Sequence, residues 1–205
     1  MKKILLFVVF LLLVFCGSIS AQGKFGHRSD PVTTDELRLK NILTDLFPDD
    51  PEAAKIEIKI VDKLQNSNLP NLMADINCYC AIYITKSMIA RFHGKTDAAT
   101  TIAHEFGHIK LRHVPAKKIV GWGRNEILDY DLLERQEISA DYFAARALER
   151  SGTSVCSTLL PRLIKEFGIA KVDDPRNKII TKRAALQKVY CFNKGKVEFL
   201  DPFGK

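Results

Sequence analysis

The sequence has no internal repeat, no low-complexity stretch and no long run of lysine or arginine. Its formal net charge of +7 over 205 residues is therefore mildly basic, and no basic patch interleaved with aromatic residues indicates nucleic-acid binding. Long apolar runs are also scarce. The one at residues 4–15 is too short to cross a bilayer comfortably, which takes about 20 residues. With 46% apolar and 27% charged residues, the composition is that of one globular domain.

The first 21 residues have the three-part layout of a secretory signal peptide. The basic Met1-Lys2-Lys3 precedes the apolar run, and small residues follow it up to Ala21. We expect cleavage after Ala21, which leaves a domain at residues 22–205 in a secreted or periplasmic protein with no further membrane-spanning segment. An uncleaved anchor is the alternative. Lipid attachment at Cys16 is disfavoured because Phe15 is bulky where lipoprotein signals have a small residue.

The cysteines favour disulfides over a thiolate metal site. Cys16 would leave with the signal, and the remaining four permit two disulfides in an exported chain. Cys78 and Cys80 are too close in sequence to pair easily with each other. We therefore expect each to pair with Cys156 or Cys191, in either order. A structural zinc site built from all four is disfavoured because Cys-x-Cys is shorter than the usual spacing.

Hydrophobic periodicity predicts an α+β domain with a small sheet early in the chain and mainly helices after it. Residues 54–61 and 76–85 alternate as strands do, with a polar turn at residues 65–71 between them. Thr96-Asp97 is a predicted helix N-cap, and Pro115 lies just past the end of that helix. Strands and helices do not alternate, which argues against a doubly wound parallel sheet. The predicted helices cover residues 34–46, 98–113, 125–150, 158–167 and 181–189.

The sequence His104-Glu105-Phe106-Gly107-His108 is an HExxH motif. Residues four apart lie on one face of a helix, so His104 and His108 can reach the same metal ion. Glu105 lies about 100° further round the helix, where it can contact a water at the metal without binding the metal itself. The motif thus provides two ligands and a general base within one turn.

A catalytic zinc ion usually has three protein ligands and one open position. His113 is about 180° from His104 on the same helix and cannot turn back while the helix continues. The HExxHxxGxxH clan is excluded because Leu111 and Val114 stand at its Gly and His positions. Glu137 on the next helix is the predicted third ligand. Asp141, four residues later on the same face, can accept the free N–H of a ligand histidine.

The stretch from about residue 75 to 186 resembles the HExxH/ExxxD gluzincin peptidases, which include HtpX and the CAAX prenyl endopeptidase, in their soluble secreted branch. Residues 101–108 with Arg112-His113 resemble the active-site helix of that family, and residues 137–152 its third-ligand helix. The resemblance implies a mainly helical zincin-like domain with a small antiparallel sheet whose edge strand faces the cleft. In this comparison residues 81–85 correspond to that edge strand, so Ile82, Tyr83 and Ile84 would contact substrate.

Two features depart from this family. Asp173-Asp174-Pro175 stands where a His-Pro pair is common, and the Asn-Ala pair before the edge strand is not recognisable. If that histidine stabilises the oxyanion in relatives, this chain must use another residue, for which Tyr142 and Arg183 are candidates, or do without one.

The resulting hypothesis is a metalloendopeptidase with one Zn²⁺ per chain, a peptide or protein as substrate, and Glu105 as general base. A protein-binding or chaperone-like relative that keeps the zinc without turnover is the alternative. A disulfide-linked domain with an accidental HExxH motif is the third interpretation.

Overall fold

The computed structural model describes residues 33–64, 72–75, 78–120, 125–154, 156 and 175–192. The predicted signal peptide, the polar turn at 65–71 and the helix at 158–167 lie outside these residues. Two units divide the chain, residues 1–31 and 32–205, and all described residues belong to the second. Its helices are α1 (Thr34–Leu46), α2 (Pro51–Lys55), α3 (Lys86–Ile89), α4 (Lys95–Lys110), α5 (Tyr130–Arg150) and α6 (Pro175–Phe192), and its strands are β1 (Glu57–Val61), β2 (Leu72–Ala74), β3 (Ala81–Thr85), β4 (Lys117–Val120) and β5 (Asn125–Leu128).

The predicted mixture of helices and a small sheet is confirmed, but the sheet is not purely antiparallel. Strand β3 pairs in parallel with β1 and antiparallel with β2, in the order β1-β3-β2. Ile82, Tyr83 and Ile84 therefore lie on the central strand, and the prediction that they form the edge is wrong. All five residues of β3 are buried, as expected of a strand covered on both faces. Among the described strands, the two edges of this sheet are β1 and the three-residue β2.

Several helix boundaries follow from capping groups. Thr33 and Glu36 form a reciprocal capping box at the start of α1, which confirms the first predicted helix. Asp129 caps α5 by accepting a hydrogen bond from the Leu132 N–H, so this helix starts at Tyr130. The prediction of a helix from residue 125 is wrong because residues 125–128 form a hairpin strand with β4. The last predicted helix is confirmed and is longer, as α6.

Helix α4 begins earlier and ends earlier than its sequence pattern predicted. Gly94 stands at its N-cap without a side-chain cap, and Asp97 lies inside the first turn, where it accepts a hydrogen bond from the His93 N–H. Ile102, Phe106 and Ile109 on its apolar face are fully buried against α1 and the sheet. The core thus holds α4 rigidly from one side and leaves its opposite face to α5.

The cysteine prediction is wrong for the first pair, because Cys78 and Cys80 form a disulfide with each other. Tyr79 between them has a left-handed backbone, with φ 51°, and the two Cα atoms lie 5.1 Å apart, within the usual range for a disulfide. Cys156 is disulfide-bonded as well, so neither Cys78 nor Cys80 is available to it. The side chain of Cys191 lies outside the described residues.

Candidate metal centre

The two motif histidines converge at the face of α4 that meets α5. The Nε2 atoms of His104 and His108 are 3.1 Å apart, and both side chains are largely buried. Their rings meet edge to face, with centroids 4.9 Å apart. The helical spacing of four residues thus produces the predicted pair of convergent donors.

A close approach of α4 and α5 brings the third donor to this pair. Gly107 has no Cβ, and a Cβ built there would lie 3.2 Å from the Cα and the carbonyl oxygen of Ala140. The contact places Glu137, one turn before Ala140, with its carboxylate 3.3 Å from His104 Nε2 and 3.6 Å from His108 Nε2. Donor atoms of these three side chains all lie within 4.8 Å of one another and could hold a metal ion.

Asp141 and Arg183 form an ionic layer behind these donors. Asp141 Oδ1 is 3.0 Å from His104 Nδ1, an ion-pair distance at which the alignment falls short of a hydrogen bond. Arg183 on α6 binds Asp141 with two parallel hydrogen bonds of 2.7 and 2.8 Å and also lies 2.6 Å from Glu137. From the sequence, Arg183 is a candidate for contact with the substrate or its oxyanion. The structure instead buries it against the two carboxylates of the candidate centre.

The pKa values follow from this burial and pairing. Burial lowers the pKa of His104, but contacts with Asp141 and Glu137 outweigh it and raise that pKa to about 9. Burial lowers the pKa of His108 to about 4. Burial alone would raise the pKa of the Glu137 and Asp141 carboxyls, but the positive charge of Arg183 outweighs this effect. The pKa of Glu137 is therefore held well below its usual range, and that of Asp141 is lowered to about 2. Without metal, protonated His104 and Arg183 balance the two carboxylates, and a metal ion would displace the His104 proton.

The general-base candidate Glu105 is also buried, and its Oε2 accepts a 2.7 Å hydrogen bond from the main-chain N–H of Ala74 on β2. Ala74 pairs with Ile82 of β3 on the other side. The edge strand β2 is therefore in direct contact with the motif helix. By contrast, Ile82, Tyr83 and Ile84 are buried in the central strand and are not brought to the site.

His113 is a residue whose position sequence reasoning missed. It is buried, and its Nδ1 is 2.8 Å from His108 Nδ1 while its Nε2 is 3.0 Å from Ser139 Oγ on α5. Burial, together with the charge on His108 when that residue is protonated, lowers the pKa of His113 to about 3. The available signal was Pro115, which required the helix to end close to His113 and so allowed the chain to turn back.

A second group of potential ligands consists of the exposed Cys78 and Cys80 and the less exposed Asp75. Its two sulfurs are bonded to each other, so it offers no thiolate to a metal.

The chain matches no protein-family model, no curated protein and no solved structure. Among the described helices, none combines the length and the apolar character needed to cross a bilayer. The functional assignment therefore depends on the geometry of the site itself.

Proposed function

We propose that this protein is a zinc metallopeptidase of the zincin-like type, with His104, His108 and Glu137 as the zinc ligands and Glu105 as the general base. The observation that carries the proposal is the spacing of the three donors. Zinc ligands at about 2.0–2.1 Å and tetrahedral angles lie about 3.3 Å from one another. The distances here are 3.1, 3.3 and 3.6 Å. Two imidazoles and a carboxylate are also a donor set that suits zinc.

The number of ligands supports a catalytic rather than a structural site. Structural zinc ions usually have four protein ligands, whereas catalytic zinc ions have three and keep one position open. When bound, the ion would polarise a substrate carbonyl and lower the pKa of a coordinated water. Arg183 is ion-paired with Glu137, and Asp141 lies 3.0 Å from His104 Nδ1, so both ligands have buried partners that would help to orient them for a metal ion.

The position of Glu105 on α4, next to His104, supports its proposed role as the general base. It follows His104 directly, so its side chain leaves α4 beside the two imidazoles without joining them. The Ala74 N–H holds one of its oxygens. As a carboxylate, it can accept a proton from the attacking water and deliver it to the leaving amine.

Strand β2 replaces β3 as the proposed substrate-binding edge. Within the described residues, β2 pairs on one side with β3 and faces the motif helix with the Ala74 N–H. An extended peptide that adds to this edge would lie next to Glu105 and the three donors, with main-chain hydrogen bonds providing affinity. This arrangement favours an endopeptidase that binds unfolded or extended segments.

The test is metal analysis combined with proteolysis. We expect about one zinc ion per chain in the mature protein, as in catalytic sites of this kind. Glu137→Gln should weaken zinc binding. Glu105→Gln should keep the zinc but lower casein cleavage by about 10²- to 10⁴-fold, the usual contribution of a general base. Glu149→Gln is the matched control, because Glu149 is exposed on the same helix as Glu137.

Two results would contradict the proposal. A wild-type protein without zinc would show that the motif is accidental. Stoichiometric zinc with no chelator-sensitive cleavage of casein or of a mixed peptide library would favour the non-catalytic binding protein instead.

A further inference from the structure

The C-terminus of α4 ends in a turn that brings His113 back towards the metal centre. The His113 N–H donates to the His108 carbonyl at 3.0 Å, and the Arg112 N–H donates to the Ile109 carbonyl at 3.1 Å. Arg112 has a left-handed backbone, with φ 54°. These two bonds and this conformation define a Schellman motif, which normally has glycine at the left-handed position. The strained arginine suggests that the position of the next residue matters.

The turn places His113 between a metal-ligand candidate and helix α5. The Nδ1 atoms of His113 and His108 are 2.8 Å apart, and the His113 Nε2 is 3.0 Å from Ser139 Oγ. The Ser139 hydroxyl in turn lies 3.0 Å from the main-chain carbonyls of Arg135 and Gln136. Both ring nitrogens of His113 are thus engaged, so His113 is not itself a metal ligand.

One set of hydrogen-bond directions leaves the Nε2 lone pair of His108 free for a metal ion. In it, the Ser139 hydroxyl donates its one hydrogen to a main-chain carbonyl of its own helix, and its oxygen accepts from His113 Nε2–H. A neutral His113 then has a lone pair on Nδ1 and accepts from His108 Nδ1–H. That tautomer of His108 has its lone pair on Nε2, the atom that lies beside His104 and Glu137.

We propose that His113 is a positioning residue for the metal centre, which accepts the His108 Nδ1–H and so fixes the tautomer and ring orientation in which His108 binds the ion. The inference rests on the proposed zinc site. His113 thus places an uncharged acceptor next to His108 Nδ1, whereas the Asp141 carboxylate lies 3.0 Å from His104 Nδ1.

Contacts from two other elements hold the turn in this position. The Tyr79 hydroxyl donates to the His113 carbonyl at 3.0 Å, and the Arg112 guanidinium lies 4.8 Å from the centre of the Tyr79 ring. The Gln136 side-chain amide donates to the Val114 carbonyl at 2.9 Å. The turn is therefore fixed from both sides, by the Cys78–Cys80 disulfide loop and by α5.

The experiment measures zinc affinity, by competition with a chromogenic chelator at constant pH, in the full mature chain. His113→Leu removes the acceptor, whereas His113→Asn keeps an acceptor oxygen close to the position of Nδ1. Loss of such a supporting hydrogen bond typically costs 10- to 100-fold in metal affinity, so we expect the Kd of His113→Leu to rise by roughly that factor. His113→Asn should restore most of the affinity. Circular dichroism and thermal melting check that each variant is folded.

Ser139→Ala is the second variant, because it removes the partner of His113 without touching the core. We expect it to weaken zinc binding in the same direction and less strongly, and to add little in the double variant with His113→Leu. His93→Leu, at an exposed histidine, is the control and should leave the Kd unchanged. The absorption spectrum of the Co²⁺-loaded protein should change in His113→Leu and return towards wild type in His113→Asn.

The outcomes separate this inference from the proposed function. If folded His113→Leu binds zinc as tightly as wild type, the positioning role is overturned while the zinc site stands. An Asn variant as weak as the Leu variant overturns the hydrogen-bond explanation. If the wild-type protein binds no zinc, the proposed function itself has failed.

Discussion

Arg183→Met is the substitution for which the structure allows the most detailed expectation. The guanidinium is 6% exposed, makes two hydrogen bonds to Asp141 and an ion pair with Glu137, and connects α6 to α5. Methionine fills a similar volume but leaves both carboxylates buried without that cation. Breaking a buried ion pair by removing one partner costs about 3–5 kcal/mol.

The lower end of this range should apply to the metal-free protein near pH 7. There His104, whose pKa is raised to about 9, keeps its proton and still balances one carboxylate. With a urea slope of about 2 kcal/mol/M, a loss of about 3 kcal/mol lowers the unfolding midpoint by about 1.5 M. Saturating zinc should reduce the difference between variant and wild type, because the ion supplies positive charge next to Glu137.

The assay is urea unfolding of wild type and variant, in chelator and in zinc. Arg183→Lys keeps the charge but not the two-pronged geometry, and should fall between them. Arg146→Met, at an exposed arginine on α5, should stay within about 0.5 kcal/mol of wild type. A metal-free Arg183→Met protein as stable as the Arg146 control would refute the view that Arg183 compensates two desolvated carboxylates.

Four further predictions concern the helix contact at Gly107, the titration of His104 and the turn at His113. Gly107→Ala gains about 0.5–1 kcal/mol of helix propensity, but the added methyl group forces the backbone of α5 away. We therefore expect the free energy of unfolding to fall by about 1 kcal/mol net and zinc binding through Glu137 to weaken. A more stable variant with unchanged zinc affinity would contradict this. The zinc Kd should fall by about tenfold for each pH unit as the pH rises from roughly 5 to 8, because His104 must lose its proton to bind the ion. A Kd independent of pH would argue against the raised pKa of His104. Because folding raises the pKa of His104, its protonation stabilises the metal-free protein. This stabilisation is fully present below about pH 6.5 and is lost as the pH rises through about 9. Thermal melts in chelator across this pH range would detect the loss. Tyr79→Phe removes the hydrogen bond to the His113 carbonyl and should cost about 1 kcal/mol in urea unfolding, with a modest rise in the zinc Kd; identical values for both proteins would show that the turn does not depend on this bond.

The helical spacing of four residues explains why the candidate metal ligands could be predicted from the sequence. His104 and His108, and likewise Glu137 and Asp141, are four residues apart, and an α-helix with 3.6 residues per turn places such pairs on one face whatever surrounds it. The grouping of His104, His108 and Glu137 also depends on the helix contact at Gly107, which a small residue permits but does not require. Here the structure brings the predicted donors together.

The failed predictions about the sheet edge, the disulfide and His113 depended on contacts between segments distant in sequence or on a single backbone dihedral. Alternation identified β3 as a strand but could not show that the three-residue β2 covers its other side. The spacing of Cys78 and Cys80 argued against a bond, but the left-handed conformation of Tyr79 permits one. Helix geometry predicted that His113 is not a ligand, but it could not predict the contact of His113 with His108, which forms because the helix ends at Lys110.

The sequence by itself determined which side chains can bind a metal and which helices carry them, because ligand type and helical spacing are local properties. The tertiary structure decided how those side chains are supported. Arg183 and His113 acquire their roles from α6 and from a turn, where ionic and hydrogen-bond partners meet across 42 and 26 positions of the chain. Such partners are selected by the burial of charge and by the packing of helices, and neither is visible in the spacing of residues along one helix.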